Sequence, residues 1–142
     1  IIGFAADVPR ELNILAIDVQ NDLCLLIGPK YKNEKFKNIK IAEKTKIGED
    51  VYAVAAPLGI ASPGIRLIFK GILSGCHSEG CMTTIPATFG SSGAGILNSK
   101  GQLITIVMAV PEGFDHVIIS PSNEKLIKFI RDIDESVDIY PY

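Results

Sequence analysis

Tryptophan is absent from this 142-residue chain, methionine occurs twice, and His77 and His116 are its only imidazoles. Three cysteines are too few for a disulfide framework. Cys24 sits in an apolar run and reads as a small core residue. Cys76 and Cys81 flank CHSEGC, a spacing that suits a hairpin disulfide or, with His77, three metal ligands. Zinc ordinarily takes four ligands at tighter spacing, which disfavours the metal reading, and neither a metal nor a cofactor is expected. Charge of one sign is also lacking: 14 basic and 16 acidic residues leave a net charge of −2, so nothing electrostatic points to nucleic acid. The one basic run, Lys30 to Lys46, is offset by Glu34 and Glu43, with Glu49 just beyond, and reads as a solvated loop with strand ends. No apolar run reaches membrane-spanning length, so no membrane partner is expected. No secretory leader is visible, and the chain opens at Ile1 without a methionine, as a segment of a longer protein would.

What is present is apolar and finely divided. Apolar residues make up 47% of the chain against 21% charged, enough for a buried core in one domain or two small packed lobes. Short runs read as strands between Gly, Pro, Asn and Asp: ELNILAID (11–18), DLCLLIG (22–28), NIKIAE (38–43), DVYAVAAPLG (50–59), IRLIFKGILSG (65–75, with a bend at Gly71), MTTI (82–85), AGILN (94–98), QLITIVMAV (102–110) and HVIIS (116–120). AGILN and QLITIVMAV read as a hairpin across Ser-Lys-Gly. The period then changes: Leu126, Ile127, Phe129, Ile130 and Ile133 recur at helical spacing. A helix over about 121 to 134 follows, with Ser120 as its cap and Pro121 in its first turn. Strands every 8 to 12 residues with one terminal helix indicate an all-β barrel or sandwich.

One loop asks for more than folding. In TFGSSGAGILN, two serines lie among Gly90, Gly93 and Gly95. Several glycines so close suit a backbone that takes positive φ repeatedly or approaches another group closely. A hydroxyl held there beside free backbone N–H groups is one way to build a nucleophile with an oxyanion hole. The plainer reading is a turn serine in a glycine-rich hairpin.

The surrounding segments bear on that choice. GSSGAGILNSKGQLITI resembles the nucleophile segment of trypsin-like serine proteases of the chymotrypsin fold, nearest the HtrA and glutamyl-endopeptidase branch: Gly-x-Ser-Gly-Gly, a strand, Asn-x-x-Gly, a strand. VQNDLCLL resembles the family's aspartate segment, GEDVYAVAAPLG and FKGILSG two of its strands, and FDHVIISPSNEKLIKFI its closing strand and helix. The resemblance runs in register from about residue 12 to 134. It implies two antiparallel β-barrel lobes with a C-terminal helix, residues 1–46 forming part of the first lobe and 47–142 the second. It implies Ser92 as nucleophile, Asp22 as the orienting carboxylate, and the N–H groups of Gly90 and Ser92 as the oxyanion hole. It implies a substrate pocket walled by Ile85, Pro86 and Ala87 on one side and by Val107, Met108 and Ala109 on the other.

Two departures accompany it. Ala94 replaces the family's second glycine after the serine. No histidine precedes Asp22, where the family carries its base, and neither His77 nor His116 matches that position. Only about three of six expected first-barrel strands are visible, and an open half-barrel leaves unpaired edges. A further segment, or another chain, is therefore expected to complete the barrel. With no acidic residue where trypsin itself carries one, the pocket reads as apolar. The activity implied is endopeptidase cleavage of a polypeptide; the competing reading is a protease fold used as a binding module without catalysis.

Overall fold

The computed structural model describes residues 2–5, 8–29, 39–60, 62, 65–114 and 116–136. Two hairpins come first. β1 (Ile2–Ala5) pairs antiparallel with β2 (Val8–Glu11), and β3 (Asn13–Asp18) with β4 (Leu23–Ile27). The β1–β2 hairpin was not evident from the sequence, where the alternation begins only at Glu11. Along β4 successive side chains take opposite faces. Leu23 is buried, which turns Cys24 outward; Cys24 is exposed and free rather than a core residue. Most of the Lys30–Lys46 run lies outside the described residues, and among the described residues of NIKIAE only Ile41 forms a bridge, parallel to Leu103.

The remaining strands form one antiparallel sheet: β5 (Asp50–Ala55), β6 (Leu67–His77), β7 (Gly80–Thr83), β8 (Gly95–Asn98), β9 (Leu103–Ile106) and β10 (Ile118–Ser120), in the order β10-β7-β6-β5-β8-β9. The sheet curls back on itself. Beyond β9, the Ala109 N–H donates to the Ile119 carbonyl (3.0 Å) and the Ile119 N–H to Ala109 (2.8 Å), joining the two ends. Inward residues fill the space enclosed: Val51 and Ala53, Leu73, Cys81, Ile85, Ile96, Ile104, Val107 and Ile118 are all buried. Their period-2 spacing within strands is why the sequence pattern read as β.

Gly71, expected as a bend, is also a point of close approach. It lies within β6, close to where that strand passes from pairing with β5 to pairing with β7, and a Cβ there would stand 2.6 Å from the Ile85 backbone nitrogen. The missing side chain lets the segment after β7 press onto β6. Cys76 and Cys81 face each other across β6 and β7, 4.0 Å apart at Cα, and are joined as a disulfide. At the β8–β9 turn, Asn98 Oδ1 accepts the N–H groups of Lys100 and Gln102, so a side chain closes the hairpin.

The helix α1 (Asn123–Ser136) starts later than the sequence suggests. Its cap is Ser122, whose Oγ accepts the Lys125 N–H at 3.1 Å, while Ser120 ends β10 with its side chain buried. The helix is fastened to β9: Asn123 Nδ2 donates to the Ile104 carbonyl, and Thr105 Oγ1 to the Pro121 carbonyl. Leu126 and Ile133 are buried, as their spacing predicts.

Two inward hydroxyls, Thr83 Oγ1 and Ser120 Oγ, are buried with no hydrogen-bond partner among the described residues. An unpaired buried hydroxyl loses its hydration without compensation. Thr83→Val, which keeps the shape and removes the hydroxyl, is expected to raise stability by about 1 kcal/mol. A urea melt giving equal or lower stability would count against an unsatisfied Thr83.

Candidate active site

The loop from Thr84 to Ala94, between β7 and β8, is fixed by its own hydrogen bonds and by two neighbours. Ser91 N–H donates to the Thr88 carbonyl (3.0 Å), and Ala94 N–H to Ser91 (3.1 Å). Leu58 N–H, from the turn after β5, donates to the Phe89 carbonyl (2.6 Å). Gly93 N–H donates to Val107 and Val107 N–H to Ala94, both at 2.8 Å, tying the loop to the chain beyond β9.

Within this frame the two serines differ. Ser91 is 1% exposed, and its Oγ accepts the Thr88 N–H at 3.3 Å, so it belongs to the scaffold of the loop. Ser92 is exposed. Among the described residues neither its hydroxyl nor its N–H has a hydrogen-bond partner, and the Gly90 N–H has none either. Gly90 takes φ +89°, and a Cβ there would lie 2.8 Å from the Ala56 carbonyl oxygen. Glycine is required on both counts: the left-handed backbone and the close approach of the Ala56–Gly59 turn.

Ser92 opens onto a cavity of about 430 Å³. Ala87, Thr88 and Phe89 line one part and residues 107 to 113 another. Of the pocket residues expected from sequence, Ala87, Val107, Met108 and Ala109 are in this lining. Ile85 and Pro86 are not. The close crossing at Gly71 turns Ile85 inward, where it is 1% exposed in the core, and Pro86, next along an extended segment, faces solvent. Thr88, Phe89 and Val110 to Gly113 were missed. The Pro-Glu-Gly stretch at 111–113 is a turn signal that could have identified the last of these.

Asp22 lies in the β3–β4 turn at φ +54°, exposed, with no partner for its carboxylate among the described residues. Asp18, four residues earlier, is committed to the turn. It accepts the Asn21 side-chain amide (2.6 Å) and main-chain N–H (3.1 Å), and the side-chain bond, ahead of other influences, holds its pKa below the ordinary value. Among the described residues no histidine lines the Ser92 cavity. His77, at the end of β6, accepts the Glu79 N–H on Nδ1 and lines a separate hollow with Cys76 and Ser122. His116 stands edge-on to Phe114, ring centroids 6.3 Å apart. Among the described residues no cluster of three His, Cys, Asp or Glu side chains is arranged to hold a metal.

The family model of the trypsin-like peptidase domain matches residues 2–106. The chain belongs to that family. Its curled antiparallel sheet with one C-terminal helix is the chymotrypsin-type architecture. Among solved structures it is similar to Rv3671c of M. tuberculosis H37Rv, determined as a serine-to-alanine mutant in an inactive form, with a TM-score of 0.77 over 94% of this chain and 70% of that one. At 15% identity the likeness is one of fold. No curated protein matches the chain.

Proposed function

We propose that this trypsin-like peptidase domain carries the nucleophile of a serine endopeptidase, Ser92. One observation supports it above all: of two adjacent serines, only Ser92 is exposed, at a cavity wall, beside unpartnered N–H groups at Gly90 and at Ser92 itself. In this reading the Ser92 oxygen attacks the scissile carbonyl, and those N–H groups donate hydrogen bonds to the developing oxyanion. The side chain of the residue that carries that carbonyl occupies the cavity. A serine hydroxyl needs a base to take its proton as it attacks. That base is a histidine outside these 142 residues, oriented by Asp22.

The same reading assigns residues 1–46 to a first barrel and 47–142 to the second. The β3–β4 hairpin supports it, since Ile14, Ile17, Val19 and Ile27 are exposed and a two-stranded sheet cannot shelter them. A further segment or another chain covers that surface and brings the histidine. A second reading, a peptidase fold used only for binding, is favoured by the absence of any histidine lining the cavity among the described residues. A serine-directed fluorophosphonate decides between them. The full-length protein labels in the first reading, and residues 1–142 alone label far more weakly. A folded full-length protein that does not label sinks the first reading, and equal labelling of both sinks the external base.

Gly90→Ala tests the oxyanion loop. The new Cβ meets the Ala56 carbonyl and strains the backbone, which displaces the Gly90 N–H. Labelling is expected to slow by about 10²-fold, the lower range for losing one oxyanion donor. At Gly93 φ is also positive (+82°) but no atom lies within 4 Å of a new Cβ, so Gly93→Ala should slow labelling less.

A further inference from the structure

Among the described residues that line the cavity beside Ser92, one side chain is ionisable, Glu112. The sequence reading gave this pocket no acidic residue; Glu112 comes from the loop after β9. The Phe114 N–H donates to the Pro111 carbonyl (3.1 Å), with Gly113 at φ +76°. That is the geometry of a type II turn, with Glu112 at its second position. The turn holds Glu112 at the cavity, and among the described residues its carboxylate has no ion pair or hydrogen bond. Val107, Met108 and Val110 supply apolar wall nearby.

We propose that Glu112 biases this cavity toward a substrate side chain ending in a cation, lysine or arginine, on the residue whose carbonyl Ser92 attacks. The inference rests on the protease reading for that register. Such side chains are apolar along the stem and charged at the tip, so the stem can cover the Val107–Val110 wall while the tip reaches the carboxylate. An aliphatic side chain of equal length matches the walls alone. An acidic one meets a like charge. Because Glu112 is exposed, solvent screens the pair and the preference is modest, roughly three- to fivefold for lysine over norleucine. It should shrink with added salt.

The test uses the full-length protein and three fluorogenic peptides that differ only in lysine, norleucine or glutamate before the cleaved bond. The expected order of kcat/KM is lysine, norleucine, glutamate. Glu112→Gln should bring lysine and norleucine to parity, and Glu112→Lys should place glutamate above lysine. Binding of the same peptides to full-length Ser92→Ala, followed by fluorescence anisotropy, should give the same order. Cleavage without a lysine preference, or with one that survives Glu112→Gln, overturns the role of Glu112 and leaves the protease reading standing. A Glu112-dependent preference in binding without cleavage by the wild type does the reverse. Absence of both cleavage and binding overturns this proposal as well.

Discussion

Ser92→Ala in the full-length protein is expected to abolish fluorophosphonate labelling and to lower peptide hydrolysis by about 10⁶-fold, the scale of losing a serine nucleophile. The Gly90 N–H and the cavity survive that change, so peptide binding should persist. Ser91→Ala is the matched control. It removes a buried hydroxyl that accepts the Thr88 N–H and holds the loop in shape. Its cost should appear as about 1 kcal/mol of stability, with labelling of Ser92 retained at reduced rate. If Ser91→Ala erases labelling while Ser92→Ala keeps it, the roles are reversed and the exposure argument fails. If neither changes labelling, the reactive group lies elsewhere and the loop is a structural hairpin.

That contrast marks how far the sequence could be read. The strands were legible where one face is buried, because alternation is then forced: Val51 and Ala53 in β5 and Ile96 in β8 announce themselves. The β1–β2 hairpin lacks a clear alternating run, and its side of the chain went unread. The helix period was visible, but its first turn was not. Ser120 and Ser122 are equally good caps in sequence, and only the strand ending at Ser120 excludes it. In the site, the loop residues were legible through glycine, whose freedom the backbone needs at Gly90. The cavity walls were not fully legible, because inward and outward turns in an extended segment depend on what it crosses. Gly71, distant in sequence, decides that Ile85 enters the core. Cys24 failed for the same reason: an apolar run does not say which of its faces is covered.

Asp22→Asn is expected to lower the rate of Ser92 labelling and hydrolysis by about 10⁴-fold while leaving the fold intact. An asparagine preserves shape but no longer favours the histidine tautomer and orientation that accept the serine proton, nor stabilises the imidazolium that follows. The size of the expected loss separates this role from that of a turn residue. The turn itself is held by Asp18, which accepts both hydrogen bonds from Asn21. Asp22 makes no such bond among the described residues, and an exposed aspartate tolerates its φ of +54° without help. Asp22→Asn should therefore leave the melting temperature nearly unchanged. Asp18→Asn should lower it with little direct effect on rate. The pKa of Asp18 is depressed, so its contribution to stability is present above the ordinary aspartate pKa and fades as pH falls below it. Acid should erase the difference between wild type and Asp18→Asn in a melting series. If Asp22→Asn instead melts the hairpin and leaves the labelling rate of the remaining folded protein unaltered, Asp22 is a turn residue. The role of orienting carboxylate then falls to a group other than Asp22.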